Sequence, residues 1–285
     1  ESLDGGLQLG DVGRRVRVAR PVHLVGHVLG RLGHGRERYR TAGIVPCVAL
    51  RFVIIGGGPA GTQAATYAAR LGAEVTLIER DVVGGAANLW DCVPSKAMIA
   101  TGGVLGEIRD AAGMGLGVAA PTVDLDSLRE RIGEITTRLE TNGRRLLESQ
   151  GVHLVEGTGR LLDDHTVAAE TAEGQLVVEA DAILVSTGSR PRIPDWATPD
   201  GDRILTTRDA YPPRTLPEHL VVIGSGVTGV EFVHMFRSFG SAVTLVVSRQ
   251  QVLPAKDPEV AAVLEDDFLG RGVRLLKGAR AVGLD

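Results

Sequence analysis

The chain has 285 residues, enough for about two domains at the usual ~150 residues each. Hydrophobic residues make up 44% of it and charged residues 23%, and no apolar run approaches the ~18 residues of a membrane span, so it reads as a globular protein and not an embedded one. A formal net charge of -4, from 31 basic and 35 acidic residues, provides no broad basic field and argues against nucleic acid as a partner, while only two cysteines, Cys47 and Cys92, exclude a disulfide-stapled scaffold and an all-thiolate zinc site and make the reducing cytoplasm the expected location.

Residues 1–50 differ in composition from the rest of the chain. They hold nine glycines, eight arginines and four acidic residues, a balance of +4, with neither helical periodicity nor strand alternation. They read as an irregular extension outside the fold. An organelle transit peptide has the same Arg-rich, acid-poor make-up, but serine is nearly absent here.

Regular patterning starts at Arg51. Arg51 to Ile55 is a short β-branched strand, Gly56 to Gly61 is a glycine turn, Thr62 to Leu71 is a helix and Val75 to Ile78 is a second strand, the order of a parallel doubly wound sheet. Helices are predicted over Pro94 to Gly102 and over Asp124 to Gln150, the latter with Leu125, Leu128, Ile132, Ile135 and Leu139 at helical spacing. Three β segments follow, Val152 to Val155, His165 to Ala169 and Gln175 to Val178, and Ala182 to Ser186 closes on Thr187-Gly188-Ser189. The stretch Pro191 to Pro217 reads as a connection between a unit at 51–190 and a partial unit at 218–285.

Those two units repeat one another. A shift of 168 residues lays Gly56, Gly58, Gly61 and Gly72 on Gly224, Gly226, Gly229 and Gly240, and Val75-Thr76-Leu77 on Val243-Thr244-Leu245. Each copy is a strand, G-x-G-x-x-G, a helix and a strand, the context in which the motif binds a dinucleotide. The first glycine permits the tight turn, the second lets backbone N–H groups approach a pyrophosphate, and the third lets helix pack on strand, with the helix N-terminus supplying partial positive charge. The expected architecture is therefore α/β, two Rossmann-like dinucleotide-binding domains, three-layered and mostly parallel, with a small antiparallel β meander. The copies differ at the end of the second strand. Glu79 of the first is placed to accept hydrogen bonds from a ribose diol, whereas the second has Val247 followed by Ser248 and Arg249, a pattern that tolerates or prefers a 2′-phosphate and so leans towards NADPH over NADH.

Between the two sites lies Gly84-Gly85-Ala86-Ala87-Asn88-Leu89-Trp90-Asp91-Cys92-Val93-Pro94-Ser95-Lys96. It resembles the G-G-T-C-x-x-x-x-C-x-P-S-K signature of class I flavoprotein disulfide reductases, the dihydrolipoamide dehydrogenase and glutathione reductase family. The resemblance runs from about Arg51 to Asp285, through the first glycine turn, Ser186-Thr187-Gly188-Ser189 and the Gly224 to Glu231 motif. It implies FAD at Gly56, Gly58, Gly61, Glu79 and Gly85, with further contacts from Thr187 and Gly188 and from the Gly157-Thr158-Gly159 turn. It implies NAD(P)H at Gly224, Gly226, Gly229 and Arg249. Lys96 corresponds to the lysine beside flavin N5 and Glu231 to the glutamate that pairs with it, so an ion pair between them is expected.

The first cysteine of the family signature is Ala87 here, so nothing within the motif closes a disulfide, and a dithiol relay needs both sulfurs. Cys92 stands either beside the flavin as a redox-sensitive thiol or, next to the anionic Asp91, as an inherited inert one. The sequence is similar to the branch of the family that lacks the redox disulfide and acts as NAD(P)H:quinone reductase, which makes a small quinone-like molecule the expected electron acceptor. Two other readings stay open: disulfide reduction using Cys92 with a cysteine outside the motif, and an inactive truncated nucleotide-binding module. His23, His27 and His34 lie in the extension and His153, His165, His219 and His234 are scattered, so no metal is expected. Only 56 residues follow Gly229. Family members continue with another flavin-binding strand and a homodimer interface domain, so the chain reads as an N-terminal portion of such an enzyme.

Overall fold

The apolar run Arg51–Ile55 becomes β1, the strand around which the first sheet is built; the computed structural model describes residues 49–117, 119 and 121–284. The extension read over residues 1–50 therefore lies, but for its last two residues, outside the described residues, as do Cys47, His23, His27 and His34. From β1 the chain turns through the glycines into α1 (Pro59–Arg70), whose proline occupies a first-turn position where no N–H is needed, and returns as β2 (Glu74–Glu79). Helices α2 (Gly85–Leu89), α3 (Cys92–Ala111) and α4 (Leu125–Ser149) fill the path to β3 (His153–Glu156). Three short strands follow, β4 (Thr158–Leu161), β5 (Thr166–Thr171) and β6 (Gly174–Glu179), before β7 (Ala182–Val185).

The first sheet has the order β3-β2-β1-β7, every pair parallel, with Val53 beside both Thr76 and Ile183. The strands β4-β5-β6 form a separate antiparallel meander. Odd and even positions of β1 serve different layers, as the two-residue period of a strand requires. Val53 and Ile55 pack towards the meander with Val167 and Ala169, while Ile54 packs towards the helices with Ala65, Leu77 and Leu147. Helices, parallel sheet and meander thus make three layers.

Residues 186–218 carry no helix or strand. Beyond them β8 (His219–Ile223), α5 (Val227–Phe239), β9 (Ala242–Val247), α6 (Pro258–Gly270) and β10 (Arg274–Lys277) give a second parallel sheet of order β10-β9-β8. The largest core cluster is shared between the two halves: Met98 and Leu105 of α3 and Leu128 and Ile132 of α4 pack with Val233, Phe236, Leu245 and Phe268. Phe236 and Phe268 are fully buried, each removing apolar surface that stabilises by about 1.5–3 kcal/mol.

The strand expected at Val152 to Val155 is β3, paired parallel with β2. Three local expectations need correction. The Gly157-Thr158-Gly159 segment is not simply a turn; Thr158 opens β4, and Gly159 pairs with Ala169. The helix predicted from Pro94 starts two residues earlier at Cys92, since a proline within the first turn removes no helical hydrogen bond. The stretch between Ile78 and that helix, for which no element was predicted, contains the short helix α2.

Candidate functional site at the junction of the two units

The two glycine turns are built alike. Gly56 and Gly224 have φ of +106° and +107°, the left-handed region that glycine enters without cost, and Gly58 and Gly226 follow in extended backbone as the N-caps of α1 and α5. A Cβ on Gly61 would run into the carbonyl oxygen of Gly56, and one on Gly229 into that of Gly224. Neither helix has a side-chain cap at its N-terminus. Their first N–H groups therefore point into open clefts, the arrangement that takes a phosphate.

The cleft at the first turn has a volume of about 250 Å³ and is lined by Gly56, Gly58, Glu79, Gly85, Gly159, Thr187 and Gly188. Glu79 ends β2 and is held by two backbone donors, Gly57 N at 2.6 Å from Oε2 and Asp81 N at 2.8 Å from Oε1, which leaves lone pairs for a diol. Gly85 approaches Gly58 so closely that a Cβ would lie 2.8 Å from its Cα, and Gly85 has φ of +55°. Gly159 has a structural reason as well, since a Cβ there would meet Ile55 Cγ2 at 2.8 Å. The residues present fit an extended dinucleotide: a cap-free helix end, an anchored carboxylate and glycines that keep the floor open.

The second cleft, of about 490 Å³, opens where the first turns of α3 and α5 meet. These helices pack closely, a Cβ on Gly102 lying 3.0 Å from Ser238 Cβ, and Arg109 Nη1 donates to the Ser238 carbonyl at 2.7 Å. That packing brings together two residues 135 positions apart: Lys96 Nζ donates to Glu231 Oε1 at 2.6 Å, with Glu231 largely covered at 19% exposure and Lys96 reaching solvent at 60%. Cys92 opens α3 as an exposed free thiol on the same cleft. Ala87 lies on α2 and supplies no sulfur partner.

Not every candidate gathers at this junction. Gly224, Gly226 and Gly229 line a separate groove beside β8. Val247 is fully buried and its side chain offers no acceptor, and the exposed Arg249 beyond it uses its carbonyl to accept from Gly278 N at 3.0 Å. His153, His165, His219 and His234 lie on separate parts of the fold.

Several residues of the site carry no mark in the sequence. Trp90, Arg208, Ser189 and Ala86 line both clefts, and the Arg208 guanidinium carbon sits 5.1 Å from the Trp90 ring centroid. Tyr211 lines the second cleft, stacked on Phe232 at 4.8 Å. Burial above all, then the carboxylates of Glu231 and Asp91, pushes its hydroxyl well above the usual tyrosine range, so it stays a hydrogen-bond donor. The one available signal was Trp90 itself, one of only two tryptophans, set inside the Ala87–Cys92 segment.

Comparison with known proteins bears directly on this site. Residues 50–285 match the family described as pyridine nucleotide-disulphide oxidoreductase. The chain is 44% identical over 251 residues to an NAD(P)H dehydrogenase (quinone) of Mycobacterium tuberculosis, covering 82% of this chain and 50% of that one. It is 37% identical over 225 residues to a dihydrolipoyl dehydrogenase of Zymomonas mobilis, covering 79% and 48%. Among solved structures it is similar to LpdA from M. tuberculosis, with a TM-score of 0.76 and 42% identity over 82% of this chain and 52% of that one. The chain thus spans about half the length of the curated relatives it matches.

Proposed function

Because the chain belongs to the pyridine nucleotide-disulphide oxidoreductase family, we propose that it moves electrons from NAD(P)H through FAD to a quinone-like acceptor in the cytoplasm. Residues 51–190 would hold FAD, at Gly56, Gly58, Gly61, Glu79, Gly85, Gly159, Thr187 and Gly188. Residues 218–285 would form part of the NAD(P)H unit, with Gly224, Gly226 and Gly229 at the pyrophosphate and Arg249 favouring a 2′-phosphate. Bound FAD supplies a carrier that accepts a hydride from a nicotinamide and releases electrons to a second molecule.

The chain's own residues position and stabilise. Lys96 presents a cation where the two clefts meet, and Glu231 fixes its direction from the facing helix. A preoriented cation lowers the cost of negative charge that develops as a hydride arrives. Tyr211 adds a neutral donor on the same wall.

The observation that carries this reading is the Lys96–Glu231 bridge in a segment with one thiol in place of two. The bridge serves hydride transfer, whereas disulfide reduction requires one sulfur to attack and another to resolve. NADPH oxidation with menadione as acceptor tests it. Turnover is expected, and it is expected to persist in Cys92→Ala. Lipoamide-dependent turnover that disappears in Cys92→Ala would instead establish disulfide reduction.

A further inference from the structure

The wall of the second cleft has a charge and a shape that the hydride path does not use. Lys96 is taken up by Glu231, but the guanidinium groups of Arg208 and Arg190, both on the second cleft, have no carboxylate within ion-pair distance among the described residues. Among the described residues Arg208 makes a hydrogen bond only through its backbone N–H, to Thr206 Oγ1, and its side chain rests on the Trp90 indole. Against these two cations the cleft sets one further carboxylate, that of Asp91. The mouth is therefore positive, and Trp90 and Tyr211 give it flat aromatic surface. A guanidinium already lying over an indole loses little freedom when it pairs with an anion, since its planar fork is preorganised.

We infer that Trp90, Arg208 and Arg190 form the acceptor's binding wall and that it selects planar aromatic acceptors carrying a negative charge, such as a sulfonated naphthoquinone, over neutral ones of the same size. This rests on the quinone-reductase reading above and names the class of acceptor within it. The step balances without further reagents: two electrons from the reduced cofactor and two protons, one with the hydride and one from solvent, turn each C=O of the quinone into C–OH. The acceptor's anionic substituent takes no part and serves only recognition.

The test compares kcat/KM for a naphthoquinone sulfonate with kcat/KM for menadione, at saturating NADPH, on the flavin-loaded protein. Wild type is expected to favour the sulfonate. Arg208→Gln is expected to lower that ratio about fivefold, the scale of one exposed charge or cation–π contact at about 1 kcal/mol, and Arg208→Lys to recover part of it. In the wild type alone the preference should shrink as salt rises, since the contact is solvent-exposed. Binding gives a readout without turnover: by titration calorimetry, naphthalene sulfonate should bind more weakly to Arg208→Gln by a similar factor, and naphthol should not. A ratio equal in wild type and Arg208→Gln would overturn the inference, and so would a salt-insensitive preference. If Arg208 served the phosphates of NADPH, both acceptors would lose equally, which is that same overturning result. Failure of NADPH to reduce the flavin would instead remove the quinone-reductase reading, and the calorimetric comparison would still decide the role of Arg208.

Discussion

Lys96 and Glu231 owe their meeting to position within their helices: each is the fifth residue, of α3 and of α5, so the packing of two first turns sets them 2.6 Å apart. With Lys96 60% exposed, the bridge contributes less than ~1 kcal/mol to stability, and its value lies in orientation. Lys96→Met is therefore expected to leave the melting temperature nearly unchanged while slowing flavin reduction by NADPH about tenfold to a hundredfold, read by anaerobic stopped flow. A large fall in melting temperature with an unchanged rate would show a structural role instead. Gly61 behaves in the opposite way. Gly61→Ala forces a Cβ into the Gly56 carbonyl and should cost about 1–3 kcal/mol in denaturant unfolding, together with flavin retention. Residues of these two kinds were readable in the sequence because a repeat and a motif marked them. The Arg208–Trp90 stack was not: its partners stand 118 positions apart, and the course of residues 186–218, which decides their meeting, follows no helical or strand period.

At the scale of elements, periodicity found α1, α4 and the strands of the first sheet, the repeat placed β8 and β9, and α6, β10 and what is short or glycine-rich were lost. Helix α2 has five residues and opens on two glycines of positive φ, so it has no apolar stripe to read. Strand β4 has an arginine and a glycine among its four residues, and only its pairing with β5 makes it a strand. Helix α4 was legible because Asp124 caps it, accepting from Asp126 N and Ser127 N, and because Leu128 and Ile132 mark its buried stripe. A different carboxylate ties the first sheet at its start: Asp181, just before β7, accepts from Arg51 N and Arg51 Nη2, each at 2.9 Å. The Arg51 guanidinium, with the backbone N–H, lowers the Asp181 carboxyl to about 2. A carboxyl depressed on folding contributes stability that is present above its unfolded value of about 4 and is lost as pH falls through about 2. Asp181→Asn should thus melt lower than wild type at neutral pH, with the gap closing as pH drops from about 4 to 2. A gap that stays constant across that range would contradict the ion pair's contribution.

At the scale of the whole molecule, two copies of one strand–turn–helix–strand unit share a core through α3 and α4, and the repeat that was visible at a shift of 168 residues returns as matching backbone angles at Gly56 and Gly224. That sharing was not readable, because Met98 and Leu105 carry no mark of the distant Phe236 and Phe268 they pack with. Its functional consequence is the junction, where one cleft bears the features of a dinucleotide site and the next bears Lys96, Glu231 and a single thiol. In the proposed function, electrons cross this junction without a redox disulfide. The most direct measurement is the visible spectrum of the flavin-loaded protein before and after NADPH is added without oxygen. The oxidised-flavin bands are expected to bleach with no long-wavelength thiolate-to-flavin charge-transfer band. Persistence of the oxidised bands, or growth of that charge-transfer band on reduction, would contradict it.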